Sequence, residues 1–261
     1  MEIDKMKILR GDPIVLNEYV TLIQPTITEI IDFGESTFFS VFWSLSSSAW
    51  DRPSYFADQG IDFMSVSDWT YFLMTVQSLP PSSTNLILKD IDLADFQLQK
   101  RVLEDSEEFV LCREDGLVID EAMYNQMIPY IRELVNFHHS GKKAANKATA
   151  KILVMDDRKA RERNKNKEYE SMLFNVVVSL VNTEEFSYTY ESVMGVTVYQ
   201  LMKSYIQICG KKSAMALLQG SMSGFMDTSG INSENFNWTY SDNKYKPTGK
   251  KLVTNKTVKK K

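Results

Sequence analysis

Capped segments in which apolar residues recur at helical spacing limit the fold of this chain more than any other feature. The first segment follows Pro25, where Thr26-Ile27-Thr28-Glu29 has the sequence of a capping box. Apolar residues then recur at helical spacing to about Leu45, and a serine run at 46–48 ends the segment. We therefore predict one helix over residues 27–45.

The same signals recur along the rest of the chain. Ser67 is placed to cap a helix to about residue 77, which the prolines at 80 and 81 close. Asp120 is placed to cap a helix to about residue 138, with Pro129 as a kink or an early break. Further helices are predicted over residues 169–181, 196–209 (with Gly210 as a helix stop) and 213–222.

Strand signals are fewer than helix signals. Residues 7–10 and 14–22 are predicted as two strands joined by the turn Gly11-Asp12-Pro13, and residues 85–88 as another strand. Glu114-Asp115-Gly116 separates two apolar runs, 109–113 and 117–119, and carries the Asp-Gly signal of a tight hairpin. We therefore predict a mainly α fold with a small antiparallel β component (α+β) and a helical, bundle-like C-terminal half.

The charges divide the chain near Gly141. Residues 1–140 carry 23 acidic and 9 basic side chains, whereas residues 141–261 carry 11 acidic and 21 basic ones. Such opposite halves indicate either that they dock on each other or that a basic element is presented to an acidic partner. The predicted domains are 1–140, an acidic α+β domain with an N-terminal hairpin; 141–167, a basic linking helix; 168–240, a small helical domain; and 241–261, a disordered lysine-rich tail.

Several classes of protein are disfavoured by composition. Apolar runs are too short to cross a bilayer, which takes about 20 residues, so no membrane association is expected. The mixed charges at the N-terminus do not resemble a secretory signal, so we expect a cytoplasmic protein. Cys112 and Cys209, far apart in apolar surroundings, are expected to be buried and reduced.

Catalytic chemistry finds little support in the sequence. The two histidines, His138 and His139, are adjacent and would point in different directions on a helix, so they cannot chelate one metal together. Carboxylates cluster at residues 90–95 and 104–108, but no phosphate-binding glycine loop accompanies them, and such clusters are more often solvated loops. We therefore expect no enzyme, no cofactor and no metal.

The stretch 142–167 carries the best physical signal for binding, because it has ten basic and three acidic residues. Crowded lysines and arginines release counterions from a phosphate backbone, so nucleic acid is one candidate partner. Aromatic residues for base stacking are missing from the stretch, which favours a solvated or acid-docked helix. The candidate binding residues here are Lys151, Arg158, Arg161 and Arg163. A second group, Met215, Met222 and Met226, fits either core packing or an adaptable partner surface.

Four segments carry a resemblance to a known group of proteins. They are QPTITEIIDFGE (24–35), DDRKARER (156–163), GVTVYQL (195–201) and the stretch from Gly220-Ser221-Met222 to Asn237-Trp238. In their order these segments resemble proteins from the tail-morphogenesis region of phages that infect Gram-positive bacteria, and the group is similar to tail assembly chaperones. The resemblance spans most of residues 12–240, although each motif is short.

The resemblance implies a binding function in the host cell cytoplasm. The protein would bind the tape measure protein and keep its long apolar helices soluble until the tail tube polymerises around them. An apolar groove would receive the client helix, and the candidate groove residues are Phe38, Phe42, Trp43, Trp69 and Phe72, each of which also fits a core position. Other phage tail proteins and a homo-oligomer are compatible with this role. The alternatives are a structural component of the tail or baseplate in the virion, and a nucleic-acid-binding protein that uses residues 142–167.

Overall fold

The computed structural model describes residues 3–102, 107–137, 144–223 and 230–239. Within these ranges the fold is mainly helical with two small antiparallel sheets, so the predicted α+β class is confirmed. The helices are α1 (Lys5–Arg10), α2 (Ile27–Phe33), α3 (Glu35–Ser46), α4 (Pro53–Asp58), α5 (Asp68–Val76), α6 (Asn85–Leu88), α7 (Glu121–Leu134), α8 (Lys147–Asn164), α9 (Met172–Val181) and α10 (Val198–Met222). The strands are β1 (Ile14–Val15), β2 (Thr21–Leu22), β3 (Gln97–Val102), β4 (Glu107–Cys112) and β5 (Val118–Ile119).

The predicted helix caps are confirmed where the capping side chain is local. The amide of Thr26 donates to Glu29 Oε2 at 2.7 Å and the amide of Glu29 donates to Thr26 Oγ1 at 3.3 Å, which completes the capping box of α2. Ser67 Oγ accepts from the amide of Thr70 at 3.0 Å at the start of α5. Asp120 caps α7 in the same way, and Pro129 lies inside that helix without ending it.

The predicted single helix over residues 27–45 is wrong, because Gly34 divides it into α2 and α3. Gly34 has φ +100°, a backbone conformation that residues with a Cβ rarely adopt. Its amide donates to the carbonyls of Ile30 and Ile31, which closes α2, and α3 then begins at Glu35.

Two segments predicted as strands are helical. Residues 7–10 belong to α1, since the Asp4 carboxylate accepts from the amides of Met6 and Lys7 and caps a helix. Residues 85–88 form α6, although their short apolar run resembles a buried strand. The nearby Thr84 hydroxyl accepts from the amide of Leu93 at 2.9 Å and donates to the carbonyl of Ile91 at 3.1 Å, which holds the turn in place.

The predicted hairpin at Asp115-Gly116 is confirmed by the antiparallel pairing of β4 with β5, in which Leu111 lies opposite Ile119. Gly116 has φ +90°, as the turn requires. The sequence did not predict β3, which pairs with β4 over six residues from Gln97–Cys112 to Val102–Glu107. The predicted N-terminal hairpin with its turn at Gly11-Asp12-Pro13 is wrong, because residues 7–10 are helical. A different hairpin lies within the predicted second strand, where β1 pairs with β2 and Ile14 lies opposite Leu22.

The predicted stop at Gly210 is wrong, because α10 continues through it to Met222. A glycine inside a helix costs only about 1 kcal/mol relative to alanine. Packing beyond it offsets that cost, since Ala214 is fully buried and Lys211 and Lys212 both lie within 4 Å of the Glu185 carboxylate.

One large hydrophobic cluster forms the main core. It includes side chains from α2, α3, α5 and α7 in the first half of the chain and from α9 and α10 in the second, so it crosses the predicted boundary at residue 140. A second, smaller cluster includes Ala49, Phe56, Phe63, Tyr71 and Ala150, and it lies between α4 and α8. No helix within the described ranges is both long and apolar enough to span a membrane.

Both cysteines are free, but the expectation that they are buried is wrong for Cys209, which is exposed, and Cys112 is half-buried. His138, His139 and Gly141 lie outside the described residues. So do Glu104 and Asp105 of one carboxylate cluster, Met226 of the methionine group, and the predicted tail at 241–261.

Candidate partner-binding groove

Four of the five aromatic residues predicted to line a groove lie in the main core. Phe38, Phe42 and Phe72 are at most 1% exposed and Trp69 is 7% exposed, so they present no surface to a partner. Their rings pack on one another, as where Trp69 stacks on Phe72 with ring centroids 5.7 Å apart. Only Trp43 of the five reaches the surface, and it packs edge-to-face on Phe137 at 4.9 Å.

The predicted basic helix, α8, docks on α4 in the acidic half of the chain. Arg158 and Arg161 both form ion pairs with Asp58, and Arg161 Nη1 also donates to Ser54 Oγ at 3.0 Å. The Asp157 carboxylate accepts from the amide of Ser54 at 3.0 Å. Of the two alternatives left open by the charge division, docking of one half on the other is therefore the one observed for this helix.

Apolar contacts support the same docking. Ala150 of α8 is buried against Phe56, Phe63 and Tyr71, and Val154 packs on that cluster. The other two predicted binding residues of this helix, Lys151 and Arg163, are solvent-exposed. The structure therefore brings Arg158 and Arg161 together at Asp58, where their side chains remain 55% and 53% exposed, and Lys151 and Arg163 also lie at the surface.

The ion pairs at Asp58 should make part of the docking of α8 dependent on pH and salt. Hydrogen bonding to Arg158, and then the charges of Arg158 and Arg161, hold the pKa of Asp58 below its ordinary value of 3.8. A carboxylate whose pKa is lowered by folding stabilises the fold above its unfolded pKa, and this contribution disappears as the pH falls through the lowered value. We therefore expect α8 to remain docked at neutral pH and to loosen below about pH 4 or at high salt.

We predict that Asp58→Asn speeds hydrogen exchange of the α8 amides several-fold at neutral pH, because both arginines lose their charged partner. Exchange measured by mass spectrometry over residues 147–164 tests this. Asp115→Asn is the matched control, since Asp115 also pairs with an arginine but lies in the β4–β5 turn. Equal exchange in Asp58→Asn and the unmodified protein would show that the ion pairs do not hold α8.

A groove of about 720 Å³ lies between α1 and α10. Two other cavities, of about 650 and 450 Å³, lie beside α8 and are lined mainly by charged side chains, whereas the surface of the groove is mostly apolar. Its lining residues come from α1, from α10 and from the connection before α10: Lys5, Met6, Leu9, Tyr188, Val196, Tyr199, Gln200, Lys203, Ser204 and Gln207.

The groove follows from the faces of the two helices. On α1, Ile8 is fully buried, which leaves Met6 and Leu9 on the exposed side at 66% and 43% exposure. On α10, Tyr199, Lys203 and Gln207 recur every four residues and therefore lie along one face. Gln200 Nε2 donates to the carbonyl of Leu9 at 2.8 Å and joins the two helices.

The groove is long enough for a helical segment. Its lining along α10 runs from Tyr199 to Gln207, which at 1.5 Å per residue is roughly 12 Å or about two helical turns. At the far end Gln207 Nε2 donates to the carbonyl of Trp238 at 2.7 Å. An extended apolar channel of this length fits a short amphipathic helix better than a compact small molecule.

A buried ion cluster supports the floor of the groove. Glu133 of α7 has a side chain that is 11% exposed. Its Oε1 forms an ion pair with Lys203 Nζ at 2.8 Å and lies 3.9 Å from Lys5 Nζ. The Tyr199 hydroxyl donates to the same carboxylate at 3.3 Å, and Lys203 also donates to Asn136 Oδ1 at 3.0 Å. The cluster ties α1, α7 and α10 together beneath the groove.

Carboxylates elsewhere have structural partners. Asp92 is buried and accepts from the amide of Ala94 at 3.1 Å, and Asp90 pairs with Lys89 at 3.6 Å. Glu107 and Glu108 form ion pairs across the β3–β4 hairpin. Over the described part of the chain, no group of three or more histidine, cysteine, aspartate or glutamate side chains is placed to hold a metal.

Sequence reasoning did not place any of the groove residues at a site. The available signal was the spacing of Met6 and Leu9, but it was hidden because residues 7–10 were predicted as a strand. For the predicted methionine group, core packing is not observed at the two described members. Met215 and Met222 lie towards the end of α10 and are 43% and 85% exposed.

The comparisons with known proteins identify a domain in the C-terminal part of the chain. Residues 164–241 match the model of a phage-derived family described as the YomV second domain. A search of curated proteins and a search of solved structures returned no match. The match supports a phage origin for the chain, and the matched range contains seven of the ten residues that line the groove.

Proposed function

We propose that this phage protein acts in tail assembly as a chaperone for the tape measure protein, and that it holds an apolar helix of that client in the groove between α1 and α10. The observation that carries the proposal is the groove itself, about 720 Å³ in volume and lined by the exposed side chains of Met6, Leu9 and Tyr188. A client helix laid there would bury its apolar face, as in other helix-in-groove complexes.

The chemistry of the groove suits a client with many similar helices. Met6 is unbranched and flexible, so it can adapt to different apolar side chains, while the exposed Tyr188 offers a flat apolar face with a polar tip. Such a surface binds by apolar contact, at roughly 25 cal/mol per Å² buried, and makes few demands on sequence. A chaperone that holds successive segments of one long apolar protein needs this tolerance.

Two further observations are consistent with the proposal, the first because it supports a phage protein. The phage-derived domain match covers residues 164–241 and contributes α9, α10 and most of the groove lining. The segments 24–35 and 195–201, on which the resemblance to tail assembly chaperones rests, lie side by side, since the amide of Val198 donates to the carbonyl of Pro25 at 3.0 Å and Ile27 donates to Val196 at 3.0 Å.

The proposal predicts that the double variant Met6→Ser/Leu9→Ser loses client binding. Because both side chains are exposed, folding should be preserved, while the loss of two apolar contacts should weaken binding at least tenfold, or by about 1.4 kcal/mol. The measurement is the soluble fraction and co-purification of the tape measure protein of the same phage on co-expression. The unmodified protein should raise both, and the double variant should not.

Phe174→Ser is the matched control, because Phe174 is 67% exposed on α9 and does not line the groove. It should retain the client. If the unmodified chain neither raises client solubility nor co-purifies, the chaperone role is excluded. If the chain is found by mass spectrometry in purified particles, a structural role in the tail or baseplate replaces it.

Binding of nucleic acid by α8 is the less favoured function. Arg158 and Arg161 are already paired with Asp58, and Asp157 faces Ser54 of the same α4 helix. Arg158 and Arg161 remain 55% and 53% exposed, and Lys151 and Arg163 are exposed as well, so it is the pairing with Asp58 and not burial that reduces the charge available to a phosphate backbone. A band shift at low salt that disappears steeply as salt is added would revive this alternative.

A further inference from the structure

We infer that the strand β3 pairs with β3 of a second copy of this chain, antiparallel, about a two-fold axis at Gln99. This pairing joins two three-stranded sheets into one sheet of six strands. The inference is independent of the groove and of the proposed client, because neither α1 nor α10 contributes to it.

β3 is an open edge of its sheet. The strand order is β3-β4-β5, so β3 has a neighbouring strand on one side only. Residues 97–102 pair with residues 107–112 without interruption, and within the described ranges they form no other backbone hydrogen bond. Every second residue of an antiparallel strand directs its N–H and C=O away from its neighbour. The outer edge of β3 therefore presents a regular row of donors and acceptors to which another strand can bond.

Exposed apolar side chains accompany this edge. Leu98 and Val102 lie on one face of β3, and Phe109 lies on the same face because it is opposite Lys100 of that strand. All three apolar side chains are exposed, Val102 at 71%. An edge strand of this length, with exposed apolar side chains and without proline or a bulge, is open to a further strand.

The geometry of the edge restricts how two copies can pair. Because outward-pointing backbone groups alternate along the strand, residues directly opposite each other must both be odd-numbered or both be even-numbered. A two-fold axis therefore passes between one residue and the same residue of the second copy. Two centres allow five residues of each strand to pair within β3. They are Gln99, which pairs residues 97–101, and Lys100, which pairs residues 98–102.

Charge selects between these two centres. A centre at Lys100 places two ammonium groups directly opposite each other, which is destabilising. With the centre at Gln99, Lys100 lies opposite Leu98 of the second copy, and Arg101 lies opposite Gln97. No like charges then face each other across the new pair of strands. The aliphatic part of each Lys100 side chain can also cover Leu98 of the other copy.

The pairing has a natural end on each side. Phe96 is buried, and its amide already donates to the carbonyl of Leu93 at 3.2 Å. Pairing therefore does not continue to Val102, which would lie opposite Phe96 of the second copy. An interface of five residues per strand is short, so we expect a reversible dimer whose population depends on concentration.

Charge at position 98 tests the register. The variants Leu98→Glu, Leu98→Gln and Leu98→Lys of the full chain change only the side chain that lies opposite Lys100 of the second copy. Sedimentation equilibrium at low salt measures the dissociation constant of each dimer. Relative to Leu98→Gln, Leu98→Glu should dimerise about fivefold more tightly and Leu98→Lys about fivefold more weakly, because two symmetrical cross-strand pairs change per dimer.

Val15→Glu and Val15→Lys are the matched controls, because Val15 is an exposed strand residue that belongs to the other sheet. Both should dimerise as the unmodified chain does. Circular dichroism of every variant checks that the fold is retained.

A disulfide locates the axis. In a Cys112→Ser/Cys209→Ser background, Gln99→Cys should form an intermolecular disulfide under mild oxidation, since residues directly opposite each other are about 4.5–5.5 Å apart. Val102→Cys is the control. The two copies of that position would lie six residues, or about 20 Å, apart along the strands, which is too far for a disulfide.

Three results would overturn the inference. They are a chain that stays monomeric at every concentration, a dimer whose stability does not follow the charge at position 98, and equal crosslinking of Gln99→Cys and Val102→Cys. None of them bears on the client, since a monomer could still hold a helix between α1 and α10.

Discussion

Phe42→Ala should lower the free energy of unfolding by about 3–5 kcal/mol, the range measured when large buried aromatic side chains are truncated. Phe42 is fully buried in α3, and it packs against Phe38 and Trp43 with ring centroids 6.3 and 5.6 Å apart. The surrounding helices cannot close over the lost ring, so a cavity remains and adds to the lost apolar burial. Urea unfolding followed by circular dichroism measures the change.

Phe174→Ala is the control for this prediction, because its ring is 67% exposed on α9 and its loss should change stability by less than about 0.5 kcal/mol. The pair of variants also tests whether the Phe42 ring is part of the core or contacts a partner. A Phe42→Ala protein that keeps its stability but loses its client would mean that this ring serves a partner and is not part of the core.

Glu133→Gln should destabilise the protein by about 3–5 kcal/mol, the cost of removing one member of a buried ion pair. Lys203 is only 10% exposed and would retain Asn136 Oδ1 at 3.0 Å as a neutral partner. The loss should also loosen α1, since Lys5 faces the same carboxylate. Thermal unfolding measures the first effect, and hydrogen exchange over residues 5–10 measures the second.

The double variant Glu133→Leu/Lys203→Met separates charge burial from packing. Replacement of a buried ion pair by apolar residues of similar size is often neutral or stabilising, so the double variant should recover most of the stability that Glu133→Gln loses. Asp115→Asn removes an exposed ion pair with Arg113 and should cost less than about 1 kcal/mol. If Glu133→Gln were as mild as Asp115→Asn, the cluster would not support the groove.

Local signals were sufficient to predict many element boundaries. The caps at Thr26, Ser67 and Asp120 depend on a hydrogen bond between a side chain and an amide three residues away, so the sequence contains everything that forms them. The turn at Asp115-Gly116 is local in the same sense, because it requires only a residue that accepts φ +90°.

Predictions failed where the local sequence pattern fits both a helix and another structure. The four residues of α6 fit a strand as well as a helix by pattern, and the Thr84 hydroxyl that bonds near residues 91 and 93 favours the observed turn. Gly34 breaks a predicted helix and Gly210 does not, although both are glycines in apolar helical patterns. Gly34 adopts φ +100°, outside the helical region, whereas Gly210 lies within the continuous helix α10.

The sequence by itself determined the mainly helical class, the capped starts of α2, α5 and α7, the β4–β5 hairpin and the opposite charges of the two halves. Only the tertiary structure decided which apolar residues are core and which form a surface. Burial of Phe42 and exposure of Leu9 depend on neighbours in space, which can lie far along the chain. The hydrogen bond from Gln200 to the carbonyl of Leu9, for example, joins residues 191 positions apart. The docking of α8 on Asp58 and the groove beside α1 arise in the same way, because the energy of burying a side chain depends on what surrounds it in space.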